Sequence, residues 1–187
     1  MTGDSAITIE AVAHVDLGAA NLDALRTLFD REYLATHGRW DPSQPYGYAP
    51  HDVHVIARAG SEVVGHVGWA RRTIQVGSGD VVIAGVGGVL ISREARGEGL
   101  GAALLAAAVR SMADAGGIEF GYLGCREEVV PFYVATGWHR IHAAEASVGR
   151  DGRLVDDPPG QPLLVLAVES AVERWPNGDI DLRGRAW

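Results

Sequence analysis

The sequence predicts an α/β fold in which a mixed central β-sheet is flanked by helices. Short apolar runs that are typical of strands alternate with segments whose apolar residues follow helical spacing. A long apolar run, residues 81–91, leads into a glycine-rich turn and then into an alanine- and leucine-rich segment. A chain of 187 residues can bury one good core, so we expect a single domain over residues 1–187.

The first half of the chain predicts one strand, one helix and a hairpin. Residues 7–13 are typical of a strand, and residues 21–34 place leucines and aromatic residues on one helical face. Residues 36–52 are rich in Pro, Gly, Tyr and Asp, so we expect a loop that contacts the substrate. Residues 53–59 and 62–72 flank a Gly-Ser pair and predict a hairpin.

The second half predicts further strands and two helices around the central strand. We expect the central strand over residues 81–91 and a helix over residues 102–115. After this helix we expect a strand at 118–124 and a short helix at 129–136. Two late strands, at 139–148 and 162–168, are separated by a loop at 149–160. The tail at 169–187 is expected near the site where the substrate that accepts the transferred group binds.

Composition narrows the function classes. The formal net charge of −8 disfavours nucleic acid and favours a cationic partner. The one cysteine, Cys125, excludes an internal disulfide and fits a reducing cytoplasm. Residues 1–4 lack the basic and apolar regions of a secretory leader, and no apolar run reaches the roughly 18 residues that a membrane helix needs. We therefore expect a cytoplasmic protein that does not bind membranes.

Residues 96–101, Arg-Gly-Glu-Gly-Leu-Gly, lie between the central strand and the following helix. Glycines let the main chain approach a phosphate closely, and the helix N-terminus adds partial positive charge. The turn is not a Walker loop, because the chain has no Gly-Lys-Ser/Thr triplet. It also differs from a dinucleotide fingerprint, which follows the first strand. The sequence therefore predicts a phosphate-binding loop of another type.

This R-x-x-G-x-G pattern after a long central strand resembles the acetyl-CoA-binding motif of the GCN5-related N-acetyltransferases (GNAT). Residues 132–138, Phe-Tyr-Val-Ala-Thr-Gly-Trp, resemble the closing motif of that superfamily. The resemblance covers roughly residues 7–168. It implies the GNAT fold, with a central sheet splayed at a bulged strand, and direct acyl transfer from acetyl-CoA as co-substrate, without a metal.

The same resemblance implies where acetyl-CoA binds. Gly85, Gly87 and Gly88 interrupt the central strand, as expected for a bulge or a close backbone approach. A backbone N–H near Gly88 or Val89 is expected to stabilise the oxyanion of the reaction. The expected cofactor-binding residues are Val89 and Ile91 for the pantetheine, and Arg96, Gly97, Glu98, Gly99 and Gly101 for the pyrophosphate.

Tyr133 matches the tyrosine of the closing motif, which implies a general acid that protonates the leaving thiolate. The general base stays open, because the central strand has no Asp, Glu or His. Gly87 stands where the enzymes whose resemblance is described next carry Glu. His66 alternates with apolar residues and is interpreted as structural. A nucleophilic Cys125 is disfavoured, because no His–Asp partner can be identified. The candidate bases are Asp41, His51, Asp52, His54, Glu127 and Glu128.

The C-terminal residues 179–187 resemble those of aminoglycoside 2′-N-acetyltransferases, and residues 65–74 are similar as well. The resemblance implies that the carboxylate of Trp187 faces the ammonium groups of a cationic aminosugar, whose 2′ amine is acetylated in antibiotic resistance. The missing strand carboxylate and Arg185 favour an aminoglycoside with an acidic substituent, such as kasugamycin. The expected acceptor-binding residues are Asp41, Asp52 and Trp187.

Two alternatives remain at this stage. In the first alternative, the acceptor is another amino sugar or a small amine. It rests on residues 175–178 and the Arg71-Arg72 pair, which also resemble the nodulation-factor N-acyltransferases. In the second, the protein is an acyl-CoA sensor without turnover. The sequence leaves the oligomeric state open, including a homodimer.

Overall fold

In the computed structural model, which describes residues 6–187, ten strands form one mixed sheet with helices packed on it. The expectation that residues 1–4 carry no secretory leader lies outside the described residues. The helices are α1 (Ala19–His37), α2 (Leu100–Ala115) and α3 (Val130–Ala135). The strands are β1 (Ile7–Ala13), β2 (Val53–Ala59), β3 (Glu62–Val76), β4 (Gly79–Ile91), β5 (Phe120–Gly124), β6 (His139–Ile141), β7 (Glu145–Val148), β8 (Leu154–Asp157), β9 (Leu163–Ala167) and β10 (Ile180–Arg185).

The long strand β3 joins the two halves of the sheet. Strands β1 to β4 form an antiparallel meander, β5 runs parallel to β4, and β9 and β6 extend that edge. On its other edge, β3 pairs with β2 over its first half and with β10 at its far end, and β10 continues to β7 and β8. The strands β10, β7 and β8 thus form a second arm of the sheet, beside the arm of β5, β9 and β6. Tyr122 of β5 donates a hydrogen bond to Glu145 of β7, so the second arm curls back over the sheet.

Residues of β2 divide between two cores, because alternate side chains of a strand point to opposite faces. Val55 and Val86 pack with Leu104 of α2 in one core. On the other face, Ile56 packs with Phe29 of α1. Helices α1 and α2 therefore cover opposite faces of the sheet, as the sequence predicts for a sheet flanked by helices.

The sheet is splayed beside its central strand. The β4–β5 ladder joins residues 83–85 to residues 120–122 and stops there. From residue 86 to 91, no described residue of another strand pairs with this edge of β4. A bulge lies at the same place: Gly68 of β3 faces Gly87, and the next registered pair is His66 with Leu90. The expected splay at a bulged central strand is thus confirmed.

Two expectations about the late strands were wrong, and one strand was not predicted. Residues 139–148 form two strands, β6 and β7, because the chain leaves one arm of the sheet and enters the other between them. The loop expected at 149–160 contains β8, and the tail expected at 169–187 contains β10. None of the helices within residues 6–187 is long and apolar enough to cross a membrane.

Candidate active site

The glycine-rich turn before α2 has the geometry of a phosphate cradle. Gly97 and Gly99 adopt φ of 92° and 78°, and Gly99 is the N-cap of α2 in a left-handed conformation. A Cβ built on either glycine meets no atom within 4 Å, so the turn is open to a ligand. The first backbone N–H groups of a helix have no intrahelical partner and are available to an anion. The residues present therefore fit a pyrophosphate.

Arg96 is held in place at this turn by contacts with other elements, whereas Glu98 is exposed. The Arg96 guanidinium donates to the carbonyl of Ile91 at 3.0 Å and pairs with Glu32 at 3.3 Å. Its position is thus fixed by β4 and α1, while about half of its side chain stays exposed. Glu98 is exposed, and its role in cofactor binding stays a prediction.

Replacing Gly99 with aspartate should lower acetyl-CoA affinity about a hundredfold. Asn and Asp both tolerate the left-handed conformation, and the open space rules out a clash, so the loss comes from charge repulsion of the pyrophosphate. Gly99→Asn is the matched control and should bind nearly as well as the wild type. Isothermal titration with acetyl-CoA checks both variants. Unaltered affinity in a folded Gly99→Asp protein would disprove the phosphate-loop assignment.

The free edge of β4 offers backbone groups to an extended ligand. The N–H of Ser92 donates to Val64 of β3 at 2.8 Å, so the backbone groups of Ile91 point to the opposite edge, into the gap. By the same alternation, Val89 also faces the gap. This placement fits the expected pairing of pantetheine with Val89 and Ile91, although Arg96 already occupies the Ile91 carbonyl.

The glycines of β4 make room for other parts of the chain. A Cβ on Gly85 would lie 2.2 Å from the Trp187 ring. A Cβ on Gly87 would lie 2.7 Å from the main-chain carbonyl carbon of Trp187 and 3.1 Å from His51 Nε2. Glutamate at position 87 therefore has no space in this chain. Trp187 and His51 occupy the volume that a glutamate side chain at position 87 would need.

His51 is the candidate base with a free nitrogen at this position. Its side chain lies over Gly68, where a Cβ would come within 2.4 Å of the ring, and only 4% of the residue is exposed. His51 Nε2 is buried and has no hydrogen-bond partner among the described residues. Burial, then the neighbouring His54, lowers the pKa of His51 to about 3. The imidazole is therefore neutral and can accept a proton.

The other candidate bases are already engaged or lie at the surface. Asp41 accepts the backbone N–H of Ser43 at 2.8 Å and is exposed. Glu127 is bound to Arg140 at 2.6 Å, and Glu128 is exposed. Asp52 accepts the backbone N–H of Arg71 at 2.8 Å, and both ring nitrogens of His54 pair with other histidines.

Tyr133 lies on α3, which packs against the first turn of α2. A Cβ on Gly101 would come 3.0 Å from the Phe132 ring, and Tyr133 shares a core with Leu100. Burial, then Cys125, raises the pKa of Tyr133, so the phenol keeps its proton. Burial also raises the pKa of the Cys125 thiol, which leaves it a poor nucleophile. This fits the expectation of direct transfer.

Changing Tyr133 to phenylalanine should lower kcat about ten- to a thousand-fold with little change in KM. The ring would still pack, but the proton available to a leaving thiolate would be lost. Steady-state kinetics from pH 6 to 9 would measure the effect. If the variant matched the wild type across this range, Tyr133 would serve packing alone.

Residues 180–187 meet the loop at residues 36–52. The N–H of Ala49 donates to the carbonyl of Ala186 at 2.8 Å. Arg72 donates to the carbonyls of Leu182 and Arg185, and its guanidinium lies 3.9 Å from the centre of the Trp187 ring. These contacts hold the tail against the loop and β3, and its place near the acceptor stays a prediction.

Four more buried polar atoms lack partners among the described residues, and two of them, Tyr46 Oη and Trp187 Nε1, belong to the loop and the tail. Burial raises the pKa of Tyr46 to about 12, so its hydroxyl is neutral. Both segments therefore carry polar groups that a substrate could satisfy.

Solved structures share this fold, and several of them are named as N-acyltransferases or N-acetyltransferases. ElaA from Escherichia coli matches with a TM-score of 0.62 and 17% identity, over 86% of this chain and 99% of its own. An acyl-CoA N-acyltransferase from Pseudomonas aeruginosa matches with a TM-score of 0.59 and 19% identity, over 87% and 100%. The GNAT-family N-acetyltransferase YhbS from Escherichia coli, solved in complex with CoA, matches with a TM-score of 0.61 and 15% identity, over 94% and 89%.

The chain thus has the fold of solved GNAT N-acetyltransferases. No curated protein matches the chain. The chain belongs to the nodulation protein A family, whose family model matches residues 13–185. Of the two resemblances seen in the sequence below the superfamily, the one to nodulation proteins is confirmed, and the one to aminoglycoside 2′-N-acetyltransferases stays a prediction.

Proposed function

We propose that the protein transfers an acetyl group from acetyl-CoA to a primary amine of an aminoglycoside-type amino sugar, with His51 as general base and Tyr133 as general acid. The observation that carries the proposal is the free Nε2 of His51, buried beside the bulge of β4. An unpaired buried nitrogen costs free energy, so a ligand that satisfies it binds more favourably.

The chemistry needs three groups around one thioester carbonyl. The acceptor amine attacks as the free base, a C–N bond forms, and the carbonyl oxygen becomes negative near the N–H of Val89. The nitrogen is then positively charged and strongly acidic, so His51 Nε2 can remove its proton in spite of a lowered pKa. The C–S bond breaks, and Tyr133 donates its proton to the sulfur.

The charges of the protein support a particular kind of acceptor. The net charge of −8 and the exposed carboxylates of Asp41 and Asp52 favour a cationic amino sugar. Arg72 on Trp187 and Arg150, whose guanidinium lies 5.1 Å from the centre of the Tyr48 ring, add positive charge at the tail and the loop. An acceptor with an acidic group beside its amine, as in kasugamycin, would complement both: its amine the carboxylates, and its acidic group the guanidinium groups.

Membership of the nodulation protein A family supports a second candidate acceptor. In this alternative, the acceptor is a primary amine of another amino sugar, and the acyl group can be longer than acetyl. The same base, acid and phosphate loop would serve both acceptors, so only the acceptor side of the site distinguishes them.

Release of CoA, followed with a thiol reagent, tests the proposal directly. The panel consists of kasugamycin, an aminoglycoside without an acidic group, glucosamine and a simple alkylamine, each with acetyl-CoA and with a long-chain acyl-CoA. We expect the highest kcat/KM for kasugamycin with acetyl-CoA. Preference for glucosamine or for the long chain would support the second candidate. Binding of acetyl-CoA without turnover on any amine would indicate a sensor.

A further inference from the structure

We propose that His66 is a positioning residue that holds and polarises the Gly88–Val89 peptide, so that the N–H of Val89 can stabilise negative charge in the gap of the sheet. Negative charge arises there only during acyl transfer, so this role rests on the proposed function. It gives His66, interpreted from the sequence as structural, a part in the reaction through its contact with the bulge.

The contact between His66 and the bulge fixes the direction of one peptide. His66 Nδ1 lies 2.7 Å from the carbonyl oxygen of Gly88, which can only accept, so Nδ1 carries the hydrogen. The peptides of the described chain are all trans, so the N–H of Val89 points opposite to the Gly88 carbonyl. It therefore points away from His66 and toward the free edge of β4.

The bulge and the ring are fitted to each other. Gly88 has φ of 58°, a conformation that favours glycine. A Cβ at this position would lie 3.2 Å from the rings of both His51 and His66. Glycine thus permits the left-handed turn and the close approach of the imidazoles, which together aim the peptide.

Two further histidines extend the contact to the protein surface. His66 Nε2 lies 2.9 Å from His54 Nδ1, and His54 Nε2 lies 3.0 Å from His14 Nδ1. Since His66 Nδ1 holds the hydrogen of a neutral ring, Nε2 must accept from His54, and the same holds for His54 and His14. Burial lowers the pKa of His54 and His66 to about 3, which keeps both rings neutral.

The three histidines form a chain of hydrogen bonds, the histidine chain. The Nδ1–H groups of His14, His54 and His66 all point along it in one direction, toward the Gly88 carbonyl. Hydrogen bonds in a row polarise one another, and donation to a carbonyl strengthens the N–H of the same peptide as a donor. A donor fixed before the reaction needs no reorganisation when charge develops. The histidine chain thus prepares the Val89 N–H for its role.

The matched variants His66→Asn and His66→Leu separate this role from packing. The two side chains are nearly isosteric, and both lose the ring nitrogen Nε2 that accepts from His54. Only the Asn amide can replace Nδ1 as donor to Gly88. We expect kcat to fall about tenfold in the Leu variant and about twofold in the Asn variant, with similar acetyl-CoA affinity in both. Equal kcat losses in the two variants would indicate a purely structural residue.

Bound acetyl-CoA labelled with ¹³C at the thioester carbonyl gives a readout that needs no acceptor. Its carbonyl resonance should move downfield on binding to wild type and to His66→Asn, and less in His66→Leu. If acetyl-CoA does not bind to the wild type, the proposed function fails, and the ¹⁵N shift of Val89 in the free protein decides the positioning role. That shift should separate the Leu variant from the other two proteins, and three equal shifts would overturn the role.

The ¹⁵N spectra of the histidine rings test the direction of the chain in the wild type, even if a variant does not fold. His66 and His54 should both show protonated Nδ1 and bare Nε2. Protonated Nε2 on His66 would overturn the inference, because the ring could then not donate to Gly88.

Discussion

Replacing His51 with glutamine should lower kcat about a hundred- to ten-thousand-fold, the range observed for loss of a general base. Glutamine keeps a polar side chain of similar size but cannot take up a proton. Acetyl-CoA affinity should stay within about twofold, because the phosphate loop and the free edge of β4 are untouched.

Steady-state kinetics with the acceptor identified from the amine panel would measure this effect. His139→Gln is the matched control, since His139 is an exposed histidine on β6 and should be silent. A His51→Gln protein with wild-type kcat would assign proton removal to another group. Asp52, which accepts the backbone N–H of Arg71, would then be the next residue to change.

Lowering the pH from 7 to 5 should sharply reduce the stability of the fold. His51, His54 and His66 have pKa values lowered to about 3 by burial, against 6.5 for an exposed histidine. The unfolded chain binds protons at these three rings as the pH falls below 6.5, and the native state does not. Their contribution is therefore fully present above pH 6.5 and is lost as the pH falls.

The size of this effect follows from proton linkage. Each ring contributes up to about 1.4 kcal/mol per pH unit to the free energy of unfolding, so three rings contribute up to about 4 kcal/mol per unit. Native proteins are stable by about 5–15 kcal/mol, so we expect cooperative unfolding before the rings titrate in the folded state.

Urea unfolding followed by tryptophan fluorescence at several pH values from 5 to 8 would measure this dependence. The His51→Gln protein has one buried ring fewer, so its slope of stability against pH should be about a third smaller than that of the wild type. A free energy of unfolding that stays constant between pH 7 and 5 would contradict the neutral, buried state of the cluster.

Local pattern was enough to predict the strands that carry the site. The hairpin of β2 and β3, the central strand and the helix after it form apolar runs with clear periodicity, and β2 has the predicted bounds. Strand β8 was missed because its sequence, Leu-Val-Asp-Asp, has two acidic residues and no apolar alternation. Strand β10 was missed because it pairs with distant parts of the chain, β3 and β7.

Some residues of the candidate site could likewise be predicted from local sequence, and others could not. The glycine-rich turn and Tyr133 belong to contiguous motifs, so the sequence alone makes them candidates, and their roles stay predictions. His51 was one of six candidate bases, because its position depends on contacts over Gly68 and beside Gly87 that no local pattern contains. The histidine chain was hidden for a similar reason, since His14, His54 and His66 come from three separate segments. One signal was present: glycines at positions 68, 85 and 87 leave space that something else must fill.

The filled space beside Gly87 has an evolutionary consequence. A strand side chain at this position and the tail at Trp187 exclude each other, because both would occupy the same volume. A lineage could therefore not acquire glutamate at position 87 by one substitution while its tail stays in place. The two positions should change together in homologous sequences, with glycine at 85 and 87 wherever the aromatic tail is packed on the strand. Statistical covariation between these positions would divide the family into two subgroups with different means of removing the same proton.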